Sequence, residues 1–402
     1  MKKDYPYLKK IKIAICAGEI SGDNLGSELI KDLKLLFPQA EFYGVAEFYG
    51  VAGPKMISQG CKAFYKVDQL SVMGLLEVLR HLPRILWLRF NLINKIKKIK
   101  PDLFIGIDAP DFNLPIGYSL KKLDIPVVQY VSPQVWAWRQ SRVRKIKDSV
   151  DLMLCILPFE QSFYESNKVE SLFVGHPIAD QIPYEIDYNF DRKEFDINDS
   201  QKVLAILPGS RSSEIQYLAE PFIKTAQWLL NRFSNLLVLI ALSDEDSLKV
   251  LLKNNKNLMS KINADDRFKI IIGKARSVIS ASDVVLTASG TASLEAALIK
   301  KPMVVAYIVS SISYWIFNKL GLEKLSYFSL PNLLANSKHV PEYSQEEVRP
   351  DKMGKTLESI LKHPENFENQ KKMFNEIHKK LRINASKNSA KAIYNLLNKS
   401  NN

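Results

Sequence analysis

The stretch VLAILPGSRSSE (Val203–Glu214) decides the fold. Its apolar run Val203–Leu207 reads as a strand buried on both faces, as strands of a parallel sheet are. Pro208 and Gly209 break that run. Ser210 to Glu214 then open a helix whose first amides, with Gly209 and Arg211, suit a diphosphate. An ordinary strand-to-helix turn with a capping Ser and a surface Arg is the other reading. The stretch is decisive because of what surrounds it. From Pro177 to Ser200 the chain has two prolines, several acidic residues and little periodicity, which reads as a linker. Beyond it the pattern restarts, with strands at Val203–Leu207, Leu237–Ala241, Phe268–Ile272 and Val284–Thr287. The same alternation precedes it, with strands at Ile11–Ala17, Phe42–Val51, Leu103–Ile107, Val127–Val131 and Leu152–Leu157, and a helix at Leu25–Leu36. Strands alternating with helices predict doubly wound parallel sheets. The expected organisation is therefore α/β with two Rossmann-like domains, 1–178 and 201–365. Residues 179–200 are the linker, and a lysine-rich helical tail, 366–402, is expected to pack back on the first domain.

The bulk numbers agree with two cores. The chain has 402 residues, 46% hydrophobic and 25% charged, an ordinary globular balance. The net charge of +13 admits an anionic partner, whether nucleic acid, phospholipid or a phosphorylated substrate. Drift towards Lys across the chain explains it equally well. No helix-turn-helix, zinc finger or RNA-binding signature accompanies the charge, so no nucleic acid is expected. Cys16, Cys61 and Cys155 are far apart, and the five histidines show no paired-ligand spacing, so reduced thiols and no metal are expected. The lysines at the start mimic a signal peptide, but Ile13–Ala17 is too short and runs straight into a Gly-Glu turn. No apolar run approaches the ~18 residues of a membrane span. A soluble or peripheral protein is expected.

Four further loops follow strands and carry chemistry. ASGTASLE (Ala288–Glu295) presents Ser289, Gly290 and Thr291 at a helix start, suited to phosphate, with Glu295 a turn further on where a carboxylate can accept from ribose hydroxyls; a capping box is the alternative. AGEISGD (Ala17–Asp23) sets Glu19, Ser21, Gly22 and Asp23 in a turn better suited to sugar hydroxyls than to a bare pyrophosphate. GIDAPDFN (Gly106–Asn113) places Asp108 and Asp111 at the carboxyl end of a strand. A transferase that deprotonates a sugar hydroxyl needs one carboxylate there, and Asp108 lies closest to the strand end, with Glu19 and Asp23 as rivals. Asp111 also reads as a helix cap. SPQVWAWR (Ser132–Arg139) offers Gln134, Trp136 and Arg139 to a sugar or an acyl chain, or its tryptophans to the core.

Two segments stand apart. Between Leu70 and Lys100, Val72, Met73, Leu75, Leu76, Leu79 and Trp87 belong to an apolar surface covering more than one helical face, followed by Lys95, Lys97, Lys98 and Lys100. Apolar surface beside basic residues suits an interfacial anchor, and a buried helix pair fits the same pattern. The hexapeptide AEFYGV occurs twice in tandem, at Ala40–Val45 and Ala46–Val51. Six residues preserve strand alternation, so either copy can pair in the sheet.

Together these motifs resemble the lipid-A-disaccharide synthase family of GT-B glycosyltransferases. AGEISGD, GVAGPKM (Gly50–Met56), VMGLLEVL (Val72–Leu79), GIDAPDFN, YVSPQVWAWRQ (Tyr130–Gln140), LPFE (Leu157–Glu160), VGHP (Val174–Pro177), LPGSR (Leu207–Arg211), ASGTASLE and LPNLLA (Leu330–Ala335) run in family order. The duplicated AEFYGV departs from it. The resemblance implies inverting transfer of 2,3-diacylglucosamine from its UDP derivative to 2,3-diacylglucosamine 1-phosphate, with no cofactor or metal. It implies that Arg211, Gly290, Thr291, Glu295 and Asn332 hold UDP. Gly209, Ser210 and Ser289 complete that set. Asp108 acts as base, while Ser21, Gly22, Asp111, Asn113, Gln134, Trp136 and Arg139 face the acceptor. It further implies a cytoplasmic enzyme at the inner leaflet of the inner membrane, with a homodimer left open. The competing enzyme reading is another GT-B protein acting on UDP-N-acetylglucosamine, such as an epimerase or a peptidoglycan-precursor transferase.

Overall fold

The computed structural model describes residues 11–37, 47–66, 75–136, 140–254, 262, 264–309 and 326–399. The chain divides into two compact units, Met1–Asp180 with Leu381–Asn402, and Gln181–Lys380.

The first unit is built on a seven-stranded sheet: β1 (Lys12–Ala17), β2 (Glu47–Ala52), β3 (Lys62–Lys66), β4 (Leu103–Ile107), β5 (Val127–Tyr130), β6 (Leu152–Cys155) and β7 (Ser171–Phe173). The order is β3-β2-β1-β4-β5-β6-β7, and every pairing is parallel. The central strands are mostly apolar because helices cover both faces; β4, LFIGI, is buried along its whole length. The helices are α1 (Ile20–Leu36), α2 (Pro54–Ser58), α3 (Leu75–Ile99), α4 (Pro110–Lys121), α5 (Val143–Lys147), α6 (Pro158–Ser166) and α7 (Pro177–Gln181). The second copy of AEFYGV supplies β2, pairing Lys12 with Glu47 and Cys16 with Val51. The first copy lies outside the described residues.

The second unit repeats the plan with β8 (Lys202–Leu207), β9 (Leu236–Leu242), β10 (Phe268–Ile272), β11 (Val284–Ala288), β12 (Met303–Tyr307) and β13 (Glu342–Ser344), in the order β10-β9-β8-β11-β12-β13. Its helices are α8 (Tyr188–Glu194), α9 (Ser212–Leu230) and those at Glu245–Asn254, Ala275–Ala281, Thr291–Leu298, Leu330–Ala335, Pro350–Lys362 and Glu368–Leu381. Both sheets have the strand order of a doubly wound dinucleotide fold. In such sheets ligands bind outside the carboxyl ends, where the order reverses: between β1 and β4, and between β8 and β11.

Three expectations change. α1 begins at Ile20, not Leu25, because Glu19 is already an extended N-cap. The segment read as a linker is partly helical, in α7 and α8. The tail is divided: Glu368–Leu381 belongs to the second unit save its last residue, while the final helix, Ala385–Lys399, returns to the first. There Ala390, Ile393 and Leu397 join the core of Leu29, Ile30 and Leu33.

Candidate active site

At the β1/β4 reversal two loops touch. A Cβ added at Gly18 would stand 2.1 Å from the Cβ of Ala109, so only glycine lets the chain leave β1 this close to the loop after β4. That second loop is strained. Asp108 and Ala109 are both left-handed, at φ 51° and 39°, and Val131, at the end of neighbouring β5, has φ 71°. Each such residue costs on the order of 1–3 kcal/mol and persists only where its surroundings over-determine it. Two buried amides do so. Asn113 Nδ2 donates to the carbonyls of Asp108 (2.8 Å), Ile107 (3.2 Å) and Cys16 (3.3 Å). Gln129 Nε2 donates to the carbonyls of Asp108 (3.0 Å) and Val131 (3.3 Å). Asp108 is thus presented, half-buried, by a clamped loop.

The other residues expected here separate into surface and scaffold. Glu19 and Ser21 are exposed. Asp23 is 2% exposed, and its carboxylate accepts from the amides of Gly53 (2.9 Å), Lys55 (2.9 Å) and Met56 (3.0 Å), which caps α2. That leaves it the role of a scaffold anion, not a base. Gly22 is buried inside α1 against Ala17 and Ile107, and Asn113 is 1% exposed with its Nδ2 engaged by the carbonyls above. Asp111 lies in the first turn of α4, exposed and paired with Arg142.

The loop after β5 is held from below. Trp136 Nε1 donates to Glu160 Oε1 (3.1 Å), and its ring meets Phe159 edge-on at 4.6 Å. Gln134 is exposed; Trp138 and Arg139 lie outside the described residues. Glu160 is 2% exposed. Burial pushes its carboxyl up to about 7, against hydrogen bonds from the Leu157 amide and the Trp136 indole that favour the charged form. A raised carboxyl pKa means that the folded state holds its proton more tightly than the unfolded state. The associated stability is therefore fully present below about pH 4.5 and lost as pH rises through about 7. The wild type is expected to lose on the order of 3 kcal/mol relative to Glu160→Gln between pH 5 and pH 8. Denaturant titrations of both proteins across that range check it; parallel stability–pH curves would show that Glu160 does not titrate in this window.

In the second unit the two expected loops differ. After β8, Gly209 has φ 114°, and Glu214 fills the space before it: a Cβ there would lie 2.4 Å from Glu214 Oε2. That carboxylate accepts from the amides of Ser210 (3.0 Å) and Arg211 (3.2 Å) and from Arg211 Nη1 (3.0 Å). The strand-to-helix turn is capped, but by Glu214 with Arg211 at the N-cap position and not by a serine; these amides are engaged, while the Arg211 side chain remains 80% exposed. After β11 the loop is open. Nothing lies within 4 Å of a Cβ built on Gly290, and Thr291 is exposed at the helix start. Ser289 Oγ donates to the Phe328 carbonyl (2.9 Å). Glu295 is paired with Arg276 (2.7 Å), which also donates to Gln181 Oε1 (3.0 Å). Asn332 is fully buried. Its Nδ2 donates to Val340 O and Glu342 Oε1, and its Oδ1 accepts from the amides of His339 and Val340, all at 2.9 Å. Asn332 therefore fixes this segment and has no capacity left for a nucleotide. Among the described residues, no group of three or more His, Cys, Asp or Glu is placed to hold a metal.

Comparison with known proteins decides between the readings. A family model described as lipid-A-disaccharide synthetase matches residues 13–395. The chain is 45% identical to the lipid-A-disaccharide synthase of Pseudoalteromonas translucida, over 99% of this chain and 100% of that one. It is 43% identical to the same enzyme of Haemophilus influenzae, over 96% and 97%. The chain belongs to the lipid-A-disaccharide synthetase family. Solved structures share its fold at low identity. Staphylococcus aureus MnaA with UDP has TM-score 0.61 and 13% identity, covering 97% of each chain. The UDP-GlcNAc 2-epimerase of Neisseria meningitidis has TM-score 0.58 and 14% identity, covering 96% of this chain and 100% of that one. The GT-B class and the glycosyltransferase reading stand, and membership of the lipid-A-disaccharide synthetase family supports that reading over the UDP-N-acetylglucosamine alternative.

Within this family member the apolar segment is α3. Val72 and Met73, and the side chains of Leu75, Leu76 and Leu79, lie outside the described residues. Further along, Leu88, Leu92 and Ile96 are buried, while Leu86, Trp87 and Phe90 are 42%, 60% and 65% exposed beside Arg84 and Arg89. No helix among the described residues is long and apolar enough to cross a membrane. Sequence reasoning missed Gln129, Glu160 and Arg276. Gln129 had a signal, an amide inside the apolar strand VVQY, because a buried polar group must find partners.

Proposed function

We propose that this chain transfers 2,3-diacylglucosamine from its UDP derivative to 2,3-diacylglucosamine 1-phosphate, with inversion, giving a β-1,6-linked disaccharide 1-phosphate and UDP. The observation that carries the mechanism is the strained, doubly clamped loop bearing Asp108 at the sheet's reversal point. In this reading an acceptor hydroxyl attacks the anomeric carbon, its proton passes to Asp108, and the bond from that carbon to the UDP oxygen breaks. Glu19 is the rival base. UDP sits at the start of the Thr291–Leu298 helix, where open space at Gly290 admits a diphosphate and the helix dipole offsets its charge. Arg211 adds a cation, and Arg276 sets Glu295 for the ribose. The exposed Trp87 and Phe90, flanked by cations, support residence on an anionic membrane surface, which suits two acylated substrates.

Product analysis tests the reading. Incubation of the full chain with both diacylated substrates is expected to yield a disaccharide 1-phosphate and one UDP per bond on thin-layer chromatography. No disaccharide, together with epimerised UDP-N-acetylglucosamine in a parallel reaction, would overturn it in favour of the alternative enzyme.

A further inference from the structure

The first unit carries a groove of about 490 Å³ that begins at Pro110 and Asp111, directly after the strained Asp108–Ala109 pair. Its apolar lining comes from Leu114 and the exposed Tyr118 of α4, over the buried Val135 of the loop after β5 and Ile146 of α5. A pocket of this size is ample for a small ligand, and its apolar side chains suit the hydrocarbon part of one. Its rim is charged. Arg142 and Lys145 face the groove, and with Arg144 and Lys147 they place four cations within six residues. Asp111 and Asp148, also on the rim, offset two of them. Lys145 is exposed, and Arg142 is held by Asp111.

The mouth adjoins the apolar patch of α3. Arg89 Nη1 donates to the Asp111 carbonyl at 3.4 Å, so the helical turn that exposes Leu86, Trp87 and Phe90 lies beside the groove's entrance. The exposed apolar side chains of α3 and the α4 wall of the groove therefore lie on neighbouring helices, with the loop after β4 at one end and Arg142 and Lys145, beside Asp111 and Asp148, along the rim. A molecule matching this layout has an acyl chain, a hydroxyl-bearing head and an anionic group on that head.

We propose that the groove seats one acyl chain of a phosphorylated glycolipid acceptor, with Arg142 and Lys145 facing its phosphate. This rests on the transferase reading above and names where that substrate's tail and phosphate lie. Burying an acyl chain against the accessible apolar surface of Leu114 and Tyr118 supplies the affinity. The cations set the head's direction, so that the hydroxyl and not the phosphate meets Asp108.

Direct binding to the full-length chain tests it without turnover. The probe is dodecyl phosphate below its micellar concentration, titrated by calorimetry beside dodecyl maltoside and inorganic phosphate. Dodecyl phosphate is expected to bind at least ten-fold tighter than inorganic phosphate. Leu114→Trp, which fills the groove, is expected to weaken dodecyl phosphate and dodecyl maltoside alike by ten-fold or more. Lys145→Glu, a surface change that leaves the fold intact, is expected to weaken dodecyl phosphate several-fold and leave dodecyl maltoside unchanged. UDP affinity is expected to be the same in all three proteins. Equal binding of inorganic and dodecyl phosphate overturns the proposal, as does wild-type dodecyl phosphate affinity in either variant. Should Leu114→Trp not fold, Lys145→Glu and the probe comparison decide. Failure of the product analysis with these bindings intact would remove the transferase reading and leave a lipid-phosphate groove standing.

Discussion

Asp108→Asn is expected to lower turnover by two orders of magnitude or more while UDP affinity stays near that of the wild type. An alcohol attacking an anomeric carbon must lose its proton as the bond forms. A positioned base typically contributes ~10²–10⁴ to such a step. The substitution keeps the side chain's shape and changes neither main-chain partner of the loop, since Asn113 and Gln129 bind the Asp108 carbonyl, not its carboxylate. A loss confined to turnover would therefore report the missing base and not a collapsed loop. Among the rivals, Asp23 is committed to three amides of α2. Its replacement should lower stability before it alters chemistry. Glu19 is the sharper control. Turnover within a few-fold of wild type in Asp108→Asn, with Glu19→Gln inactive, would move the base to the first loop.

Gly18→Ala is expected to be nearly as damaging, although it removes no functional group. The added methyl would meet the Ala109 Cβ at 2.1 Å, so one of the two loops must move by more than an ångström. Displacements of that size at reacting groups cost roughly 10²-fold in rate. Ala109→Gly takes away the other half of the collision and suits a residue at φ 39°. The double variant Gly18→Ala/Ala109→Gly should therefore recover most of the lost turnover. Rate constants for the four proteins of this cycle, with melting curves as a folding control, measure the coupling. Additive losses would mean that contact between these loops does not position the site.

The sequence made the sheets legible because strands covered on both faces are apolar runs, and β1, β4, β8, β9 and β11 are such runs; β10, at a sheet edge and only partly covered, still carries three isoleucines in a row. β3, β7 and β13 lie at or beside sheet edges, are three to five residues long and are largely uncovered, so they leave no comparable pattern. β12, MVVAY, carries the same apolar pattern and is buried but for its last residue. The sequence hides the start of α1 because glycine is a poor helix former, yet Gly22 and Gly26 are what let that helix pass close to Ala17 and Met56. The loops of the site were visible as glycine-rich turns after strands. What each polar residue does there was not, because its partners are remote in sequence. Asp23 caps a helix thirty residues away, and Asn113 binds the Cys16 carbonyl from ninety-seven away. Asn332 is answered by a strand that the sequence did not announce.

The return of the last helix to the first unit imposes an order on biosynthesis. A ribosome completes the strands of the first sheet early, but the side chains that close its face over α1, those of Ala390, Ile393 and Leu397, come last. The roughly 200 residues of the second unit are made in between, taking on the order of 10–40 s at 5–20 residues per second. The second unit is thus finished while the first still shows water an apolar seam along Leu29, Ile30 and Leu33. That seam is where a nascent-chain chaperone would dwell longest, and a nonsense codon before Ala385 would leave it open for the life of the molecule.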